Sequence, residues 1–283
     1  MRLPRFVREQ CGLRRLTRTI RTGPFTILLF HSVGRDSAAS FLSTGLDCDP
    51  KFFRAVLELL AVEADVLPFR ELVAAIHERR VPPNAVAITF DDGFRDTLTV
   101  AWPMMKEFRL PAVLFMPTDA IESREMLPLH KLYYNNLLSG ADAPASNSRE
   151  RGEFIQRLLR ETQLTAPRVG HELYLNWDEL RTLQAEGMEI GGHTCSHAWL
   201  AALPVEEQRR EIVESKIVLE KNLGRAVGSF AYPFGYSGTS FTEATLAIVR
   251  QHFVAAVAST SETTNPFDVH RLPRHSINTF YSA

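Results

Sequence analysis

The sequence predicts an α/β protein built on a mainly parallel sheet. Short β-branched or aromatic runs alternate with longer stretches of helical periodicity, the pattern of strand–helix–strand units. Most of the strand runs are apolar throughout rather than alternating, as suits strands covered on both faces. Several of them end in residues able to carry chemistry, and in parallel α/β folds sites form at strand C-termini.

Strands are predicted at 26–31 (TILLFH), 85–90 (AVAITF), 111–116 (PAVLFM), 187–192 (GMEIGG), 228–232 (GSFAY) and 253–258 (FVAAVA). Helices are predicted at 50–63, 69–80, 94–108, 177–186, 205–223 and 242–251. Pro50 and Pro204 fall at helix starts, where a missing N–H costs nothing. Leu57, Leu60 and Ala61 have the 3/4 spacing of a buried helix face. Periodicity alone does not choose between a barrel and an open sheet. Residues 119–176 break the rhythm: a helix at 127–138, a polar small-residue stretch at 140–148 and a charged helical stretch at 150–163 form an inserted excursion. It either lines a substrate cleft or serves as a spacer.

The 283 residues, 45% hydrophobic and 23% charged, can build one large α/β domain or two small ones. A formal net charge of −1 lacks the basic bias of nucleic-acid binders, so no nucleic-acid partner is expected. Cys11, Cys48 and Cys195 are too sparse for a disulfide framework. Residues 1–24 form a basic extension before a domain spanning 25–283, with Arg2, Arg5, Arg8, Arg14, Arg15, Arg18 and Arg21 against Glu9 alone. Its chemistry fits a solvated capping helix or a peripheral contact with anionic lipid, since Leu3, Phe6, Val7, Leu13 and Leu16 intersperse the arginines. An export signal needs an apolar run of about 7–15 residues after its basic start. None precedes Thr26, so a cytoplasmic location, either free or membrane-associated, is expected.

Three motifs follow strand runs. In TFDDG (89–93), Asp91 and Asp92 are costly at the end of a buried strand unless paired or metal-bound; a helix N-cap is the simpler use of such an Asp. In GGHTCSH (191–197), His193 and His197 are four apart and can face one metal ion. Asp92 with the two histidines makes three protein ligands and leaves positions open. In FAYPFG (230–235), Pro233 and Gly235 fix a turn, and Tyr232 and Phe234 could wall a sugar site or only pack.

TFDDG, HTCSH and FAYPFG, in that order, resemble the successive motifs of the NodB-homology polysaccharide deacetylases. The stretches at 176–192 and 211–224 resemble them too. The likeness covers roughly residues 25–280, the excursion least. It implies a distorted (β/α) barrel, usually of seven strands, and hydrolysis of N-acetyl groups on an N-acetylglucosamine-type glycan or glycoconjugate. It further implies Asp91 as general base; Asp92, His193 and His197 as ligands of a divalent metal, Zn²⁺ first, with Co²⁺, Ni²⁺ or Mn²⁺ as alternatives; and Tyr232, Pro233, Phe234 and Gly235 around the acetyl group, the Tyr232 N–H serving as oxyanion donor.

Two family features are missing: an Arg shortly before the Pro of the third motif, and a Leu-x-His bearing the acid. Arg271 or Arg274 could supply the charge. His31, ending the first strand, resembles the acid of the branch that contains biofilm poly-N-acetylglucosamine deacetylases, with His275 as second candidate. His77, His130, His171, His252 and His270 read as structural or surface residues. Cys195 reads as a packed thiol. A sugar-binding relative without catalysis and an amidase for small non-sugar substrates remain as alternatives.

Overall fold

The computed structural model of the chain describes residues 11–34, 46–123, 125–137, 149–163, 166, 170–259 and 265–278. Its centre is a parallel, curled sheet. The strands are β1 (Thr26–Phe30), β5 (Ala85–Asp91), β6 (Val113–Met116), β7 (Glu189–Gly192), β8 (Ser229–Ala231), β9 (Ala255–Val257) and β10 (His275–Ser276), in the order β10-β1-β5-β6-β7-β8-β9. A short β4 (Asp65–Val66) pairs with β5, and β2 (Ser32–Val33) pairs with β3 (Asp47–Cys48) apart from the main sheet. The final segment reaches both edges: Leu272 bridges Val257 of β9, and His275–Ser276 pair with Leu28–Leu29 of β1. The result is the seven-stranded β/α barrel type that the motifs imply.

Both faces of the strands are covered, which explains their unbroken apolar runs. Inward side chains Ile27, Ala85, Ala87, Val113, Phe115 and Val257 pack with Phe69, Leu72 and Ile76 of the helix Phe69–His77. Outward side chains Leu28, Phe30, Ile88, Phe90, Leu114 and Phe230 join the larger core beneath the surrounding helices, chiefly Pro50–Glu63, Val205–Leu223 and Glu243–His252. Asp49 caps the first of these by accepting from the Lys51 and Phe52 N–H groups, with Pro50 in the first turn.

Of the basic extension, Cys11–Thr22 is helical. Leu13, Leu16 and Ile20 are buried in the main core, so the apolar side of this helix faces protein and cannot also face lipid. Leu3, Phe6, Val7 and the three arginines of residues 1–10 lie outside the described residues. Among the described residues no helix is long and apolar enough to cross a membrane.

The excursion is helical at Thr118–Glu122, Pro128–Tyr134, Arg149–Glu161 and Gly170–Leu173. The polar stretch 140–148 and the side chain of His171 fall outside what is described. Both ends of the excursion are tied to the chemistry-bearing loops. Thr118 and Asp119 donate to the Thr194 and Cys195 carbonyls, while Tyr174 forms an antiparallel bridge with Phe94, flanked by Leu175 N–H to Gly93 and Arg95 N–H to Leu173.

Candidate active site

The site stands at the C-terminal ends of the strands. Asp91 ends β5, His31 follows β1, His193 follows β7, and the turn 233–235 follows β8. Asp91 lies level with Phe115, and Phe115 with Gly191. Gly191 is required there: a Cβ would lie 2.4 Å from the Phe115 ring. Asp92, Thr194, His197 and Phe234 all have left-handed backbones, φ between 58° and 69°. Each such non-glycine residue costs roughly 1–2 kcal/mol, and strain of this kind gathers at functional sites.

The adjacent aspartates point to different partners. Both oxygens of Asp91 accept from Arg274, Nη1 and Nη2 each at 2.7 Å. Arg274 is 1% exposed, and two more of its N–H groups donate to the Ala258 carbonyl and the Thr89 hydroxyl. Burial pushes the Asp91 carboxyl up, but Arg274, then His193, outweigh it and hold it below its ordinary value. Of the two candidate arginines, Arg274 is thus the one at the site; Arg271 pairs with Asp268 and Glu243 near the surface.

Asp92 turns toward the histidines. Its Oδ1 lies 3.4 Å from Nε2 of both His193 and His197 and accepts no hydrogen bond from any described group. His193 Nδ1 donates to the Ala231 carbonyl at 2.8 Å, which turns Nε2 toward Asp92; burial lowers the pKa of this ring, but Asp91 and Asp92 outweigh it and hold it above its ordinary value. Burial pushes His197 down to about 3 against the pull of Asp92, so this ring is neutral. One carboxylate oxygen and two imidazole nitrogens face one another, all within 4.8 Å. A buried carboxylate oxygen left this way costs about 1–3 kcal/mol. Ligands at about 2.1 Å around a tetrahedral zinc lie about 3.4 Å apart, so this donor set fits a divalent cation.

The loop between the histidines is held from outside. Glu211, on the helix Val205–Leu223, accepts from the Cys195 N–H, the Ser196 N–H and the Ser196 hydroxyl, each at 2.9 Å. Burial pushes the Cys195 thiol up to about 12, against a hydrogen bond with Thr118; it stays a neutral thiol.

Sequence reasoning missed His130. It is fully buried, Nε2 3.0 Å from Asp92 Oδ2 and Nδ1 2.6 Å from the Tyr174 hydroxyl. The one available signal was a histidine among Leu129, Leu132 and Tyr133 on a short helix, which does not separate a core histidine from a site residue.

His31, Asp91, His193, His197 and Phe234 line one pocket, with Leu129, Tyr133 and Ile155 of the excursion as its apolar wall. The excursion thus lines the cleft. Burial lowers the His31 pKa, opposed by Asp92 and Asp91. The register that pairs His275 with Leu28 turns His275 away from this pocket; Ser276, paired with Leu29, lines it instead. A larger cavity of about 500 Å³, around Phe69, Arg70, Glu189 and Val254, lies by the strand N-termini, far from these residues.

The third motif divides differently from expectation. The Tyr232 N–H donates to the Val257 carbonyl, its ring stacks on Phe241, and its hydroxyl donates to the His270 carbonyl. It is a fully buried packing residue, and its N–H is not available to an oxyanion. Phe234 takes the wall position, 4.8 Å from the His197 ring and 4.5 Å from Trp199. The turn closes through the Gly235 N–H to the Pro233 carbonyl, and no described group accepts from the Phe234 N–H. Gly235 has φ 71°, and a Cβ there would lie 2.2 Å from the Ser259 nitrogen.

Comparison with known proteins bears on the family and the fold. The family model described as polysaccharide deacetylase matches residues 78–257. That span contains Asp91, Asp92, His193, His197 and the turn 233–235, and leaves out His31 and Arg274. YxkH of Bacillus subtilis (strain 168) is 20% identical over 220 residues, 77% of this chain; the chain spans 59% of that relative's length. Among solved structures, Streptococcus pyogenes deacetylase PplD in complex with acetate aligns with TM-score 0.66 and 20% identity, over 90% of this chain and 92% of that one. IcaB from Ammonifex degensii aligns at 0.64 and 17%, over 90% and 92%. A de-N-acetylase from Aggregatibacter actinomycetemcomitans aligns at 0.62 and 16%, over 90% and 95%. These structural likenesses establish the shared fold. With its model matched across more than half of the sequence, the chain belongs to the polysaccharide deacetylase family.

Proposed function

We propose that the protein is a metal-dependent hydrolase that removes N-acetyl groups from an amino-sugar glycan or glycoconjugate of the N-acetylglucosamine type. The observation that carries this reading is the pair of adjacent aspartates with opposite surroundings, Asp91 clamped by Arg274 and Asp92 facing His193 and His197. Family membership supports the acetyl chemistry, and the similar structures include deacetylases and a de-N-acetylase.

Asp92, His193 and His197 would hold the cation, zinc by the N/O donor set. When bound it supplies an activated water and polarises the acetyl carbonyl. Asp91, ionised and oriented by Arg274, takes the proton of the attacking water. The Phe234 N–H, rather than that of Tyr232, donates to the oxygen on which charge develops. His31, across the pocket, delivers a proton to the departing amine. Leu129, Tyr133 and Ile155 keep bulk water from the reacting carbon. The products are acetate and a free amino sugar.

The test is acetate release from N-acetylglucosamine oligomers, using protein stripped of metal and then reloaded with Zn²⁺ or Co²⁺. Metal-dependent release supports the reading. A protein that binds metal at one site yet releases no acetate would contradict the glycan assignment and favour a small non-sugar amide.

A further inference from the structure

The excursion does more than wall the cleft. His130, on the helix Pro128–Tyr134, lies 3.0 Å from Asp92 Oδ2, the oxygen turned away from His193 and His197. Its other nitrogen is 2.6 Å from the Tyr174 hydroxyl, and that hydroxyl accepts from the Leu127 N–H at 3.0 Å. One assignment of protons satisfies every member. Leu127 donates to Tyr174, Tyr174 donates to His130 Nδ1, and His130 Nε2–H donates to the carboxylate, which can only accept. Ring contacts fix the imidazole plane: Phe94, two residues beyond Asp92, sits 4.8 Å from it and Tyr174 5.8 Å. The Phe94–Tyr174 bridge anchors the end of the excursion on the very turn that carries Asp92.

From these contacts we infer that the excursion supplies an outer layer to the metal site, in which His130, held by Tyr174, ties up Asp92 Oδ2 so that Oδ1 alone is presented between His193 and His197. The inference rests on the metal reading given above. His130 is a positioning residue: it touches the ligand and not the reacting atoms. Hydrogen-bond partners of ligating groups fix their orientation, and losing one typically weakens metal binding about 10–100-fold. Such a role also accounts for a fully buried histidine in an excursion whose other buried residues on that helix, Leu129, Leu132 and Tyr133, are apolar or aromatic.

The test measures zinc affinity of the purified full chain by competition with a chromophoric chelator, a readout independent of turnover. Gln and Met have nearly the same shape, but only Gln can donate to Asp92. His130→Met should bind zinc about 10–100-fold more weakly than wild type. His130→Gln should recover most of that loss, and Tyr174→Phe should fall between the two. Wild-type affinity in His130→Met would overturn the inference. So would His130→Gln as weak as His130→Met, because shape rather than the donated hydrogen bond would then be at work. If His130→Met does not fold, Tyr174→Phe decides, and unchanged affinity there overturns the inference. A wild-type chain that binds no zinc overturns the metal reading itself, and is seen before any variant is compared.

Discussion

Arg274 grips both carboxylate oxygens of Asp91, two 2.7 Å bonds between residues 183 apart in sequence. No arginine stands near Pro233 in sequence to do this, so the charge arrives from the residue just before the last strand of the barrel. The clamp sets the protonation of Asp91. Burial alone pushes this carboxyl up; Arg274 pulls it below its ordinary value. Arg274→Met removes the pull and leaves the burial. The acid limb of kcat/KM should then move to higher pH by about 1–3 units. The pH–rate profile checks this, and a limb that stays in place would count against Asp91 as the base. Because the folded pKa is depressed, the pair stabilises the fold above the unfolded carboxylate value of about 4. That contribution disappears as pH falls through the lower folded value.

His31 is given the task of protonating the amine, so its importance should depend on the leaving group. His31→Ala should slow N-acetyl hydrolysis by about 10²–10⁴-fold. With an activated aryl acetate, whose leaving group needs no proton, the loss should shrink to a few-fold. Comparing kcat for the two substrates tests this. An equal loss on both would mean that His31 serves structure or binding.

Glu211 anchors the loop between His193 and His197 through three hydrogen bonds without touching the pocket. Glu211→Ala should lower stability by about 1–3 kcal/mol per donor left buried and unpaired. Zinc affinity should fall with it, as the loop no longer holds the ligands in register. Denaturant unfolding of the metal-free protein and chelator competition measure the two separately. Intact stability and affinity together would assign the loop's geometry to other contacts.

Gly235 has both a left-handed backbone and no room for a Cβ. Gly235→Ala should displace the turn and separate Phe234 from His197. The expected outcome is a loss of at least about 1–2 kcal/mol from the backbone alone and a large fall in kcat. A thermal melt and activity indistinguishable from wild type would remove the turn from the account.

Much of this architecture is legible in the sequence because it rests on local pattern. Each predicted strand run overlaps an observed strand, since buried parallel strands declare themselves as unbroken apolar runs. What escaped were elements too short for any period, β2, β3, β4 and β10, and the π turn Thr97–Ala101 inside the predicted helix 94–108. At the site, Asp91, Asp92, His193 and His197 are found together because each sits in a motif beside its strand. Arg274 was one of two candidates until geometry chose it. Tyr232 was misassigned because sequence cannot tell which N–H of a turn is already paired. His130 escaped entirely: its partners, Asp92 and Tyr174, lie 38 and 44 residues away.

The central claim is that two neighbouring aspartates divide the work, one as base and one as ligand. The most direct measurement is zinc content and acetate release on the same preparations of wild type, Asp91→Asn and His193→Ala. The account predicts that Asp91→Asn retains one equivalent of zinc and loses turnover by about 10²–10⁴-fold, while His193→Ala loses both. Near-wild-type acetate release from Asp91→Asn, or a full equivalent of tightly held zinc in His193→Ala, would contradict it.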